Sequence, residues 1–235
     1  VWLEPVDENH ISSIKMTPDI DEYCVHVDIE TTAEADYKIV ATVFDDEEEV
    51  VFTSDIGCVD VIPMKRFKLW SPEKPNLYNV MFELYCNDLL VDTVTSYFGM
   101  RKYSMEKDEN GIPRLFLNNK PYFQIGLLDQ GYWPDGVMTA PTDEAMIFDI
   151  KVMKSLGFNM LRKHIKVEPL RWYYHCDKIG MIVWQDMVSG AKHPGNFLVG
   201  AVPFFQIKVK DDAYALFNRD EKEWRDQFED ELEQM

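Results

Sequence analysis

The stretch SLGFNMLRKHIK, Ser155–Lys166, decides how the second half of this chain is read. Gly157 stands where a helix running from Thr142 to Ser155 needs a residue of positive φ in order to stop, and FNMLR then follows as a short buried strand. Such a strand normally ends in turn formers. This one ends in Arg162, Lys163, His164 and Lys166, a set of side chains suited to meeting something.

The flanks give the stretch its setting. On its N-terminal side, Thr142-Asp143-Glu144 supplies a cap and two acids for the first turn of the helix. Beyond it, Glu168–Ile179 reads as a second helix closed by Gly180, and MIVWQD as another strand. Upstream, LFLNNKPYFQIGLL is a strand, an Asn-Asn-Lys-Pro turn suited to positive φ, and an apolar strand ending near Leu128. Alternation of strand and helix implies parallel strands with right-handed crossovers, in either a doubly wound sheet or a (β/α)8 barrel. No glycine-rich phosphate loop follows any of these strands, which counts against dinucleotide binding. A barrel takes eight strands and about 250 residues. Residues 104–235 hold enough for about three, so the expectation is an incomplete (β/α)8 TIM barrel.

The first hundred residues follow another period. Candidate strands are His10–Met16, Tyr23–Thr31, Tyr37–Asp45, Val50–Ser54, Val59–Leu69, Tyr78–Asn87 and Leu90–Arg101, at the spacing of an immunoglobulin-like antiparallel sandwich over residues 1–103. The acidic run DDEEEV, Asp45–Val50, is expected to be a solvated hairpin end. The fold class is thus multi-domain, β followed by α/β. The chain opens in what reads as mid-strand and closes in what reads as mid-helix, so it is expected to be a piece of a longer protein.

With 42 acidic and 24 basic residues the formal net charge is −18. Such a field repels phosphate backbones and anionic lipid, so neither nucleic acid nor membrane is an expected partner. No apolar run reaches the roughly 18–20 residues of a membrane span, and VWLEPVDENH lacks the basic start and apolar centre of a signal peptide. Cys24, Cys58, Cys86 and Cys176 form no CxxC pair and no zinc spacing. Alternation turns Cys24 outward and Cys86 inward, so these two are not expected to pair, and all four read as reduced structural thiols.

In parallel α/β folds, loops at the C-terminal ends of the strands handle ligands. The first strand there delivers Asp129, Gln130, Tyr132, Trp133 and Asp135; the second Arg162, His164 and Lys166; the third Trp184, Gln185 and Asp186. The basic cluster thus reads as the rim of a site facing acids of neighbouring strands. Lys163 and Lys166 are expected to be solvated, His175 packed or at the surface, and His193 a loop residue without an identifiable partner.

The segments VWLEPV, LWSPEKPNLYNVMFEL, FGMRKY, LFLNNKPYFQIG, LGFNMLRKH and YYHCDKIGMIVWQD together resemble glycoside hydrolase family 2, the β-galactosidase, β-glucuronidase and β-mannosidase group. The ordered set Trp-x-Pro-x-x-Pro-x-Leu-Tyr, Phe-Gly-x-Arg, Asn-x-Lys-Pro, Gly-Phe-Asn-x-x-Arg and Cys-Asp-x-x-Gly carries it. The resemblance implies a jelly roll before the sandwich, with residues 1–8 as its exit strand, and a catalytic barrel after it. It favours a periplasmic or extracellular setting.

Position by position, Arg162 matches the arginine that supports a catalytic glutamate by charge-assisted hydrogen bonding. Asp186 matches the acid ending the third strand, where WQD is nearer the mannosidase-like pattern. The family histidine falls on Ile165, with His164 one position early. IGLLDQGYWPDG replaces the usual Arg-Gly-x-Asn-x-His, implying a different sugar or subsite, with Tyr132 and Trp133 able to stack on a pyranose face. Family chemistry is retaining hydrolysis by two glutamates about 5 to 5.5 Å apart, one in an Asn-Glu pair after the fourth strand and one after the seventh. No Asn-Glu dipeptide occurs here, and Asn218–Met235 reads as the third barrel helix, so both catalytic residues are expected outside the chain.

The expectation is a fragment, inactive alone, of a retaining hydrolase of β-linked glycosides, its partner an oligosaccharide or polysaccharide, with no metal and no organic cofactor required. Asp129, Trp133, Arg162, His164 and Asp186 are its substrate-binding or supporting residues. A cut barrel would leave an open edge at MIVWQD through which copies self-associate. The rival reading is a non-catalytic carbohydrate-binding or scaffolding protein on the same fold.

Overall fold

Apolar residues at every second position fold the N-terminal part into two sheets. In the computed structural model, residues 3–34, 36–46, 48–187, 200–208, 210 and 220–235 are described. Strands β1 (Ile11–Asp19), β2 (Cys24–Thr31), β3 (Tyr37–Phe44), β4 (Val50–Ile56), β5 (Val59–Pro63), β6 (Trp70–Ser71), β7 (Lys74–Pro75), β8 (Tyr78–Cys86) and β9 (Leu89–Phe98) come first. β1-β2-β5 form one antiparallel sheet and β4-β3-β8-β9 the other, a sandwich-like pair, while β6 and β7 form a small ribbon of their own. The inward rows Val25, Val27, Ile29 and Ile62 of one sheet and Ile39, Ala41, Val43, Val80, Phe82 and Leu84 of the other are buried in one core. Burial of such side chains is worth roughly 1.5–3 kcal/mol each. The acidic run is a hairpin end, as its mutual repulsion demands: it joins β3 to β4 with Glu48 at φ +62°.

Cys24 corrects the sequence reading. It is buried, not outward, and Tyr23 is exposed. Tyr23 takes φ +58°, so the alternation that holds from Val25 to Ile29 does not extend back through the first residue of β2. Cys24, Cys58, Cys86 and Cys176 are all free thiols.

Then follow β10 (Tyr103–Lys107), β11 (Pro113–Leu117), β12 (Lys120–Pro121) and β13 (Gly126–Asp129), α1 (Asp143–Ser155), β14 (Met160–Lys163), α2 (Leu170–Ile179), β15 (Ile182–Gln185), the single turn α3 (Val202–Phe204) and α4 (Lys222–Glu233). Asn118 and Asn119 take φ +53° and +62° in the β11–β12 turn, matching the Asn-Asn reading. Thr142 caps α1, its side chain accepting from Ala145 N at 3.2 Å, and Gly157 follows that helix at φ +94°. Helix α2 begins two residues later than expected from Glu168.

The strands β13, β14 and β15 form one sheet in that order. Met160 N bonds to Ile125 O and His164 N to Asp129 O, while Ile182 N bonds to Asn159 O and Asp186 N to Lys163 O. Partner numbers rise together along both pairs, which is the parallel arrangement. Contacts divide the chain into two compact units, Val1–Gly126 with Thr142–Met160 and Leu170–Ile182, and Leu127–Pro141 with Leu161–Pro169 and Val183–Met235. His193, Asn218 and most of the 187–217 loop lie outside the described residues.

Candidate functional site at the strand ends

The second unit holds every polar residue singled out at the ends of β13, β14 and β15. In β14, Leu161 and Lys163 share one face and Arg162 takes the other, and this single alternation sorts the basic cluster into two roles. Lys163 is 1% exposed and Lys166 is 6% exposed; neither is solvated as the sequence reading expected. Burying an ammonium costs several kcal/mol unless an acid meets it. Here Lys163 Nζ donates to Asp129 Oδ2 at 2.7 Å and to Glu168 Oε1 at 2.8 Å. Lys166 Nζ lies 2.9 Å from the same Glu168 Oε1 and donates to Gly131 O at 2.7 Å. Two buried cations and two acids thus neutralise one another.

On the other face Arg162 forms a two-pronged pair with Asp186, Nε to Oδ1 at 2.9 Å and one terminal nitrogen to Oδ2 at 3.0 Å. The Arg162 hydrogen bonds, with burial opposing them, hold the Asp186 carboxyl below the ordinary carboxylate range, and the same pairing keeps Arg162 more firmly protonated. The backbone N–H of Ile165 also supports Asp186. Ile165 sits at φ +47°, a conformation a β-branched residue adopts only when its surroundings demand it. Gln130 Nε2 stands 3.1 Å from His164 Nδ1, with Gln130 as donor when the ring proton is on Nε2. Trp133 is half-buried in the loop after β13, which is closed by Trp133 N to Val137 O at 2.8 Å and Val137 N to Trp133 O at 3.0 Å.

The structure therefore joins Arg162 to Asp186 and His164 to Gln130. It gives Asp129 to Lys163, and Trp133 shares the β13 loop with Asp129 without an ion pair or side-chain hydrogen bond to Arg162 or Asp186. Sequence reasoning named Lys163 and Lys166 but assigned them to solvent, and it did not single out Glu168 as a site residue. The sequence held a partial signal, Lys163 lying two residues from Leu161 on a period-2 strand, but not the acid from β13 that makes its burial tolerable. Among the described residues no group of three or more His, Cys, Asp or Glu is arranged to hold a metal. Asp129, Glu168 and Asp186 each face a cation, an arrangement that fixes donors and acceptors for a polar ligand rather than leaving a free acid–base pair.

A fold of this kind, with sandwich-like sheets and a few helices, is similar to that of solved β-glucuronidases. Residues 9–101 match the model of Glycosyl hydrolases family 2. A β-galactosidase of Streptococcus thermophilus is 25% identical over 94% of this chain and 23% of its own length. A putative β-glucuronidase of Formosa agariphila is 26% identical over 80% of this chain and 23% of its own length. Among solved structures, a Ruminococcus gnavus β-glucuronidase in complex with uronic isofagomine superposes with a TM-score of 0.71 at 18% identity, covering 83% of this chain and 32% of that one. The chain thus spans about a quarter of the length of these curated relatives.

Proposed function

We propose that these 235 residues are the sandwich (1–103) and the first three strands of a (β/α)8 barrel (104–235) of a retaining β-glycosidase, galactosidase-like or mannosidase-like, acting on an oligosaccharide or polysaccharide. The observation that carries this is the Arg162–Asp186 pair, a guanidinium held by two bonds at the ends of adjacent strands β14 and β15. A fixed arginine there can orient a neighbouring carboxylate or a sugar hydroxyl without reorganising. Asp129, Trp133 and His164 complete the proposed sugar-contacting rim.

The same residues by themselves hydrolyse nothing in this reading. Glycoside hydrolysis needs one carboxyl as acid and another as nucleophile or base. The chain has no Asn-Glu pair, and the carboxylates of the site are tied to Lys163, Lys166 and Arg162. That pairing also supports the second reading, a non-catalytic carbohydrate-binding or scaffolding role. The test is a panel of aryl β-galactosides, β-glucuronides and β-mannosides given to the purified chain, alongside titration with the free sugars followed by NMR. Shifts at Arg162 or Asp186 without turnover are expected; turnover above a buffer blank refutes the inactivity, and no shift with any sugar refutes the sugar site. Copies of the chain are further proposed to associate through the edge of β15, where Trp184 is 44% exposed, and a monomer persisting to high concentration in sedimentation refutes this.

A further inference from the structure

Glu168 is not a member of the rim, yet it sits at the centre of the charges beneath it. Its Oε1 receives both buried ammoniums, Lys163 at 2.8 Å and Lys166 at 2.9 Å. Each lysine has a second hold, and both second holds lie on the loop that leaves β13. Lys163 takes Asp129 Oδ2 at 2.7 Å, while Asp129 Oδ1 accepts the Gly131 N–H at 2.8 Å. Lys166 takes the Gly131 carbonyl at 2.7 Å. Both the N–H and the C=O of Gly131 are thus bound to this one charge network.

Gly131 has φ +63°, and a Cβ added to it would collide with Glu168 Oε1 and stand 2.8 Å from Lys166 Nζ and 3.0 Å from Lys163 Nζ. The two ammoniums and the carboxylate close around a glycine that only a glycine can occupy. Immediately before it stands Gln130, partner of His164, and immediately after it Tyr132 and Trp133.

We infer that Glu168 is a positioning residue: through Lys163 and Lys166 it sets the loop after β13 and so the placement of Gln130 and Trp133 for a bound sugar. This rests on the reading of the strand ends as a sugar-contacting rim. The buried location is what makes the device stiff. A charge pair in water breaks and reforms at little cost, whereas an ammonium with 1–6% exposure has no water to turn to when its acid is withdrawn. Among the described residues, the backbone bonds made within the loop are the Trp133–Val137 bridge and the turn from Thr139 N to Gly136 O.

The test is amide hydrogen exchange on the whole chain, comparing Glu168→Gln and Lys166→Met with the unsubstituted protein. Exchange at Gly131, Trp133 and Val137 is expected to rise by on the order of tenfold or more in both variants, while Val80 and Phe82 in the sandwich core keep their protection. Should Glu168→Gln fail to fold, Lys166→Met decides, since it leaves the Lys163–Glu168 and Lys163–Asp129 pairs in place. Unchanged exchange at all three loop amides, or a rise shared equally by Val80 and Phe82, overturns the inference. Sugar titrations of the same samples separate the two claims. Weakened binding by the variants supports positioning, and binding equal to that of the unsubstituted chain overturns it. Absence of binding by the unsubstituted chain refutes the sugar-site reading instead and leaves the exchange result to decide whether Glu168 sets the loop.

Discussion

Replacing Asp177 should unlatch α2 from the sandwich strands of its own unit. Asp177 Oδ1 accepts Arg101 at 2.5 Å and Oδ2 accepts the Tyr97 hydroxyl at 3.1 Å; its backbone carbonyl accepts Trp70 Nε1 at 2.8 Å. The Arg101 guanidinium lies 4.4 Å from the centroid of the Trp70 ring. Asp177→Asn keeps the shape and removes the charge, converting a charge-assisted bond into a neutral one, and should cost about 2 kcal/mol. Asp177→Ala removes both side-chain bonds and leaves Arg101, only 27% exposed at its side chain, without its acid, for about 3 kcal/mol. The backbone bond to Trp70 and the ring contact survive both changes, which keeps the loss from being larger. Urea unfolding followed by circular dichroism reads this as a midpoint lowered by about 1 M for the Asn variant, given a slope of about 2 kcal/mol per M. A change below about 0.5 kcal/mol for Asp177→Ala refutes the latch. So does strict additivity of Asp177→Ala with Arg101→Met, because two groups that bond one another must couple.

Three further outcomes follow from local geometry. Burial first, then the charge of Asp177, pushes the Tyr97 hydroxyl above its ordinary range. The folded state therefore keeps this proton longer than the unfolded one, and stability should be intact below about pH 10 and fall above it, a slope that Tyr97→Phe flattens in urea titrations at rising pH. Asp186 is held low by Arg162, so its folded-state contribution is present above the ordinary Asp pKa and lost as pH falls through the depressed value; carboxyl NMR should show Arg162→Ala raising it toward the ordinary carboxylate range. Gly157→Ala and Gly180→Ala both force a side chain onto positive φ, +94° and +86°, but only the second places a Cβ against Pro72 O and 2.6 Å from Lys154 Nζ. The first should cost about 1 kcal/mol and the second at least about 2 kcal/mol by urea unfolding, and equal costs refute the contact argument.

What could be read from the sequence was what local rules decide. The Thr142 cap, the Gly157 stop, the Asn118-Asn119 turn and the hairpin at Asp45–Val50 each depend on a few neighbouring residues, and the structure has each of them. The Arg162–Asp186 pair was half legible, since both residues close strands and carry opposite charge. The burial of Lys163 and Lys166 was not, because composition assigns lysine to solvent unless an acid is known to meet it. One of those acids, Asp129, comes from another strand 34 residues away, and no pattern within the KHIKVE stretch announces it. Cys24 failed for a related reason: alternation fixes faces inside a strand, and Tyr23 at φ +58° stands where the strand begins.

The motifs that carry the family resemblance are bonded to one another in the structure. Trp70 of the Trp-x-Pro run bonds to Asp177 of the Cys-Asp run, and Arg101 of Phe-Gly-x-Arg joins them. Asn118 of the Asn-x-Lys-Pro turn completes the group, donating to the Trp70 carbonyl at 2.9 Å and accepting the Lys102 N–H at 3.1 Å. Even Gly99 belongs to it: a Cβ there would lie 3.1 Å from the Trp70 Cβ. Four stretches separated by up to 107 residues therefore converge on one tryptophan, and a change in any of them would disturb the other three. The strand-end residues answer to a different constraint. Asp129, Gln130 and the KHIKVE stretch need only satisfy one another's charges, so they can be exchanged as a set while the Trp70 group stays fixed. In the proposed reading, the choice of sugar lies in that exchangeable set, and swapping Asp129–Val137 together with Lys163–Glu168 for the matching segments of a relative should transfer ligand preference, whereas swapping either segment alone should leave a buried charge unpaired and lower stability by about 3 kcal/mol or more. A single-segment swap as stable as the parent chain would refute the coupling.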